Sequence, residues 1–378
     1  MGKKIIIMGA GIRGRRILTY FRNEGIEVLG FIDNDKNKWN TYIEGIKCYP
    51  IDFFKDVANE VVVFISPENT KEIEDSLSII YPNIRGKKIV DIIGHLPETG
   101  GYTKLFPIGH FYNQYPLVEE LEDKSGKLYD PEKEIKGINF NVERQLEMLK
   151  EMTEQYDRLL PWKNIDDPEE SSLRYRYGND SFSPGDAIGL FSMLQVIKPK
   201  RMIEVGSGWS SAVSLDTNET LMGNSIQLSF VEPYPDRLKA ILKKSDNVEL
   251  REENLENIEM EYFQKLDDGD ILFIDSSHVS KMGSDVNYLF FDIIPSLKNG
   301  VYIHLHDVFS WFEYPMEWIK MGRVWNEQYL LRAFLQYNES FEIVYFQNMM
   351  EKKFPEQFVG FPKDKPIHGG SFWMRKIK

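Results

Sequence analysis

Two short runs end in side chains that can move protons. "FIDSSH" at 273–278 offers Asp275 and His278, and "YIHLHD" at 302–307 offers His304, His306 and Asp307, so three of the six histidines fall here. A hydroxyl does not surrender its proton unaided near neutral pH, and imidazole is the side chain best matched to removing it. His278 lies three positions after Asp275, so a turn leaving the strand can aim both into one crevice. His304, inside its strand, reads as a histidine satisfied in the sheet. Asp307 equally suits a cap on the following turn.

A ligand loop should lie beside these groups. Residues 201–215, "RMIEVGSGWSSAVSL", run from an apolar strand through Glu204 into a Gly206-Ser207-Gly208 turn. The third glycine of a dinucleotide loop is replaced by Ser211 and no P-loop lysine follows, so phosphate is not the expected ligand. A carboxylate beside glycines that admit close packing suits a sulfonium cation carrying adenosine. S-adenosyl-L-methionine is such a ligand. Glu232 ends the next strand in "LSFVEPYP", where a carboxylate takes ribose hydroxyls. On this reading Gly206→Val places a branched side chain where the ligand lies and leaves the fold intact. A second loop at the start of the chain, Gly9-Ala10-Gly11-Ile12-Arg13-Gly14, fits G-x-G-x-x-G, with Asp33 ending the following strand. That pattern brings backbone amides to a pyrophosphate at a helix N-terminus and a carboxylate to a ribose. No acid, base or nucleophile accompanies it, so binding without chemistry is expected; a purely structural module is the alternative.

Residues 4–100 alternate short β-branched runs ("KKIIIM", "IEVLGFID", "EVVVFI", "KKIVDII") with helical stretches from about Arg13, near "PIDFFKD" and at 70–80. Residues 101–137, rich in Gly, Pro, Tyr and charge, read as a linker. Val142, Leu146, Leu149, Met152, Tyr156 and Leu159 recur at helical steps until Pro161, which predicts a long amphipathic helix. Alternation then resumes: helix 184–197 behind Ser183 and Pro184, strand 201–205, a helix after the glycine turn, strand "IQLSFVE", helix 235–244, strand "DILFID", helix 284–296, strand "GVYIHLHD", and late strands "FEIVYF" and "SFWMRK".

A chain of 378 residues exceeds what one core organises and predicts two domains. With 59 acidic against 46 basic residues and a formal charge of −13, a nucleic-acid or anionic-membrane binder is not expected. The single cysteine, Cys48, asks for no oxidising compartment. The apolar run Ile5–Met8 is too short for a signal, Ile6 stands where a myristoylation site needs Ser or Thr, and no stretch is long enough to span a bilayer. A cytoplasmic protein without an integral membrane segment is expected, homo-oligomerisation being left open.

With E-x-G-x-G at 204–208, acidic Glu232, and Glu253-Asn254, residues 160–378 resemble class I S-adenosylmethionine-dependent methyltransferases. The resemblance implies an α/β fold of two Rossmann-like domains, the second a seven-stranded sheet flanked by helices. It places the cofactor on Glu204, Gly206, Ser207, Gly208, Glu232, Asn254 and Asp275. The strand-end groups are similar to those of metal-dependent small-molecule and sugar O-methyltransferases, which implies Asp275 and Asp307 as ligands of a divalent ion and His278 as base. His306 stands where those families carry a carboxylate or amide; a metal site of Asp275, His306 and Asp307 would favour an imidazole-tolerant ion, or none. "GFIDNDKNKW" and "GIKCYPIDFF" resemble small Rossmann-like domains of bacterial glycan pathways, which implies a nucleotide or nucleotide-sugar at Gly9, Gly11, Gly14 and Asp33.

Trp311, Phe312, Tyr314, Trp318 and Trp325, with "RYRYGNDSF" at 174–182, offer rings on which a pyranose can stack, or simply fill the core. "GHFYNQYP", "FSPGDA" and "WNEQYLLRAFL" resemble methyltransferases of polysaccharide assembly, so a sugar, nucleotide-sugar or glycan hydroxyl is the expected acceptor. The alternatives are a catalytically silent binding protein and a methyltransferase acting on an amine or carboxyl group of a small metabolite. The expected division is a nucleotide-binding domain at 1–102, a linker with the amphipathic helix at 103–160, and a methyltransferase domain at 161–378.

Overall fold

The computed structural model describes residues 4–23, 25–53, 61–65, 86–87, 114–167 and 171–378. The chain divides into two compact units, Met1–Leu117 and Val118–Lys378. The helix expected at 70–80 lies outside the described residues, as do most of "KKIVDII" and the helix expected after "PIDFF" beyond Phe53.

In the first unit β1 (Lys4–Met8), β2 (Val28–Ile32), β3 (Tyr42–Ile43), β4 (Ile46–Tyr49), β5 (Val61–Ile65) and β6 (Gly86–Lys87) make one sheet in the order β3-β4-β2-β1-β5-β6. The β-branched strands pair in parallel except for the β3–β4 hairpin. Helix Ile12–Asn23 follows the glycine loop, and Ile7, Ala10, Leu18, Phe21, Phe31, Cys48 and Phe64 close the core.

In the second unit, a parallel pair β7 (Lys163–Asn164) and β8 (Arg176–Tyr177) precedes seven strands: β9 (Arg201–Val205), β10 (Gln227–Val231), β11 (Glu249–Arg251), β12 (Ile271–Ile274), β13 (Tyr302–Leu305), β14 (Phe341–Phe346) and β15 (Phe372–Lys376). Their order is β11-β10-β9-β12-β13-β15-β14, with β15 antiparallel to both neighbours. From β9 the chain runs outward to β10 and β11, then returns to β12 on the other side. That reversal opens a crevice beyond the carboxyl ends of β9 and β12, where an open α/β sheet takes its ligand. The last strand, β15, is inserted between β13 and the edge strand β14. Ser183 caps helix Pro184–Ile197 by accepting from the Asp186 amide, with Pro184 at the first helical position, as the Ser-Pro start predicts.

Two elements differ from expectation. Helix Val118–Leu128 stands inside the stretch read as linker; its acidic first turn and basic last turn oppose the helix dipole, a signal that apolar periodicity does not register. The amphipathic helix runs only from Val142 to Thr153 and buries Gln145, Met148, Leu149 and Met152, whereas Val142 is exposed. The buried Gln145 explains the shifted face: its amide donates to the Phe140 carbonyl and accepts from the Phe346 amide, pinning the helix to β14.

Candidate functional site

The Gly206 turn is built by close approach of two strand ends. Gly206 has φ +79, and an added Cβ would overlap the carbonyl oxygen of Asp275. The glycine is therefore required by the protein's own backbone, which corrects the expectation that Gly206→Val obstructs only a ligand. At Gly208 an added Cβ would be in ordinary contact with the Arg237 side chain, 3.4 Å from Cδ, and meets no backbone. Glu232 folds onto the turn, its carboxylate accepting from the amides of Ser207 (3.1 Å) and Tyr234 (2.8 Å). Ser207 Oγ is buried without a hydrogen-bond partner. Asn254 is exposed just beyond β11, on the same edge of the sheet.

Glu204 does not present a charge to the crevice. It is fully buried, and Oε1 accepts from the hydroxyls of Ser210 (2.6 Å) and Ser211 (2.8 Å), while Ser211 Oγ in turn accepts from the Gly208 amide (3.0 Å). Burial pushes its carboxyl up to about 8 against the opposing pull of the two serines, and Oε2 has no partner. The side chain thus organises the turn from behind.

At the ends of β12 and β13 the proton-handling groups converge. His278 Nε2 lies 3.2 Å from Asp275 Oδ1 and 3.6 Å from Asp307 Oδ2. One ligand atom from each of Asp275, His278 and Asp307 falls within 4.8 Å of the others, a spacing and donor set able to hold a divalent cation. The sequence reading had His306 in this group; the structure puts His278 in its place. His306 leaves β13 into the interior, packed against Phe182 with ring centroids 5.0 Å apart, and its Nε2 is 3.6 Å from Asp307. Asp307 adopts φ +59 and His278 φ +60, left-handed turns that swing both side chains toward Asp275. His304 is a buried sheet histidine but not the satisfied one expected: it is stacked on Phe273 at 4.0 Å, neither ring nitrogen has a hydrogen-bond partner, and desolvation pushes its proton affinity down.

Desolvation opposes charge on His278, yet its hydrogen bonds to Asp275 and Glu327 more than compensate and hold the imidazole well above its ordinary value. Burial would raise Asp275, but the His278 bond and the nearby cations leave it below the usual carboxylate range, whereas burial dominates at Asp307 and raises it. Asp275 remains 34% and Asp307 18% exposed, so the group opens to the crevice.

Glu327 escaped the sequence reading. It is buried, and its Oε2 accepts from His278 Nδ1–H at 2.8 Å across 49 positions of sequence. "WNEQYLLRAFL" carried no spacing that linked it to His278. Trp325 stacks on the His278 ring at 4.3 Å, Trp318 meets Trp325 edge-on at 5.3 Å, and both are half-buried at the rim. Trp311, Phe312 and Tyr314 are buried in the core, as are Tyr175 and Tyr177 around Trp162, so only Trp318 and Trp325 of the quoted aromatics remain as a wall. Arg174 is consumed by Asp216, Glu219 and Asp246.

In the first unit, an added Cβ at Gly14 would overlap the Gly9 carbonyl, so this glycine lets helix and strand pack, while nothing lies within 4 Å of a Cβ at Gly11. Asp33 accepts from the Ala10 amide at 2.8 Å and pairs with Lys38 at 3.2 Å, so the carboxylate expected to meet a ribose already binds its own loop.

Residues 203–308 match the family described as a methyltransferase domain, and residues 1–90 match C2185-like, N-terminal. An uncharacterized protein of Archaeoglobus fulgidus is 29% identical over 168 residues, 44% of this chain and 75% of its own length. Similar solved structures include the SAH-bound Podospora anserina methyltransferase PaMTH1 (17% identity, 70% of this chain and 98% of that one, TM-score 0.34). The SAH-bound plantazolicin methyltransferase BpumL is 12% identical over 63% of this chain and 99% of its own, with a TM-score of 0.35. Among the described residues no helix is long and apolar enough to cross a membrane.

Proposed function

We propose, from the premise that this chain is an S-adenosylmethionine-dependent methyltransferase with a class I sheet, that it methylates a hydroxyl of a sugar, nucleotide-sugar or glycan. The observation that carries the reading is the convergence of Asp275, His278 and Asp307 beside the Gly206–Gly208 turn, walled by Trp318 and Trp325. A partner-free Ser207 hydroxyl, Gly208 bordered by the flexible Arg237 side chain, and the Glu232 carboxylate form a cradle whose donors and acceptors fit an adenosine with its ribose. S-adenosylmethionine, when bound, supplies a methyl group on sulfonium, which leaves as a thioether.

The chain's own residues prepare the acceptor. Its hydroxyl sits against the Asp275 and Asp307 carboxylates, and the neutral form of His278, reached when its Nε2 proton has left to solvent, takes the acceptor's proton at Nε2 as the oxygen forms its bond to the methyl carbon. Glu327, on Nδ1–H, balances the charge the ring then carries. The two carboxylates fit a divalent ion, which would lower the acceptor's pKa; Asp275 and Asp307 would hold it and leave His278 Nε2 to the proton. Half-buried rings at the rim favour a pyranose face over a linear amine. The first unit, with open space at Gly11, binds a nucleotide or nucleotide-sugar of its own.

The test incubates the full chain and S-adenosylmethionine with a panel of nucleotide-sugars, free glycosides, amines and carboxylic acids, and follows S-adenosylhomocysteine by mass spectrometry. Turnover confined to hydroxylated sugars supports the reading. Turnover confined to amines or acids replaces it, and none across the panel favours a silent binding protein.

A further inference from the structure

Three consecutive residues hold His278 from three sides. Trp325 covers one face of the ring, the amides of Asn326 and Glu327 both donate to the His278 carbonyl (3.1 and 3.2 Å), and the Glu327 carboxylate takes Nδ1–H. The grip is closed elsewhere too. Asn326 Oδ1 accepts from the Ser280 amide and its Nδ2 donates to the Ser280 carbonyl, while Ser276 Oγ donates to Glu327 Oε1 at 2.9 Å and accepts from the His278 amide at 2.9 Å.

This arrangement works against easier alternatives. His278 sits at φ +60, where a non-glycine residue is strained, and Glu327 is a carboxylate 2% exposed. A packed apolar side chain would stabilise the same contact without a buried charge. A carboxylate here is explained if the imidazole must be held in one tautomer and one orientation, as outer carboxylates hold working histidines.

We propose that residues 325–327 form a clasp that keeps the proton on His278 Nδ1 and Nε2 turned toward Asp275 and Asp307, with Glu327 as its positioning residue. The proposal deepens, and rests on, the reading of His278 as the base. During transfer the neutral ring, formed once Nε2 has released to solvent the proton it shares with Asp275, takes the acceptor's proton: the acceptor's O–H bond breaks and an Nε2–H bond forms, while the Nδ1–H bond to Glu327 stays intact, so the ring accepts one proton without rotating.

The test uses the full-length protein with ¹⁵N-labelled histidine. A proton bonded between Nδ1 and a buried carboxylate gives a ¹⁵N-coupled resonance far downfield of the amide envelope, protected from exchange. The wild type should show it, His278→Asn should lack it, and Glu327→Gln should lose it or move it upfield while S-adenosylhomocysteine affinity is unchanged. With an acceptor from the panel, Glu327→Gln should lower kcat roughly 10²-fold or more at constant KM. An unchanged resonance or unchanged kcat in Glu327→Gln overturns the clasp. If that variant does not fold, the wild-type spectrum decides, since absence of the resonance overturns it as well. Full turnover by His278→Asn, with the resonance present in the wild type, instead removes the base reading alone.

Discussion

Gly206→Ala and Gly208→Ala differ by one methyl group each, two residues apart, and should have opposite consequences. At Gly206 the new carbon would overlap the Asp275 carbonyl oxygen and lie 3.1 Å from its carbon, on a backbone at φ +79. The left-handed conformation alone costs about 1–2 kcal/mol, and parting the ends of β9 and β12 adds a comparable amount, so the loss should be about 2–4 kcal/mol. At Gly208 the methyl touches only a flexible arginine stem at 3.4 Å, and stability should stay within about 1 kcal/mol of wild type. Urea unfolding with a common m-value gives both figures, and calorimetry with S-adenosylhomocysteine gives affinity. Gly208→Ala should fold normally and bind weakly; Gly206→Ala should lose stability first, with Asp275 displaced from His278. A Gly206→Ala protein as stable as wild type would refute the argument that strand approach, not the ligand, demands this glycine.

Other outcomes follow from the same geometry. His278→Ala should lower turnover roughly 10²- to 10⁴-fold with S-adenosylhomocysteine affinity unchanged, measured by steady-state kinetics and calorimetry; full turnover excludes it as base. EDTA-stripped wild type should bind Mn²⁺ or Mg²⁺ in calorimetry and Asp307→Asn at least about tenfold more weakly, whereas no heat in the wild type leaves the carboxylates to the acceptor alone. Burial holds Glu204 at about 8 against an ordinary 4.5, so between those values the folded protein keeps a proton that the unfolded chain releases. Its contribution is therefore full below about 4.5 and lost as pH rises through about 8, and Glu204→Gln should flatten that decline in urea midpoints taken at about pH 6 and about pH 9. Saturation-transfer NMR on the full chain should detect nucleotide-sugars at the first unit and lose them in Gly11→Leu; an unchanged signal points elsewhere.

The strands that carry the site were legible because burial on both faces writes β-branched runs, and β9 and β14 fall on the expected residues. Helix Pro184–Ile197 was legible from Ser183-Pro184. His278 was expected beside Asp275 and Asp307 as the base, but not that it, rather than His306, completes the possible metal donors. That exchange depends on left-handed turns at His278 and Asp307, which neither residue type announces. Glu327 was hidden for another reason: its partner is distant in sequence, and a glutamate at the first turn of a helix is unremarkable without tertiary context. Glu204 was found as a residue but not in its role, since a strand-end carboxylate reads the same whether it faces a ligand or the serines behind the turn.

The central claim is methyl transfer to a sugar oxygen at the Asp275–His278–Asp307 crevice. S-adenosylmethionine labelled with ¹³C in its methyl group, incubated with the full chain and the nucleotide-sugar panel, tests it directly by product NMR. The account predicts the label on a sugar hydroxyl oxygen, seen as an O-methyl carbon coupled to the proton of the ring carbon that bears it, and absent with His278→Asn. Label on nitrogen or a carboxylate, or an O-methyl product formed equally by His278→Asn, would contradict it.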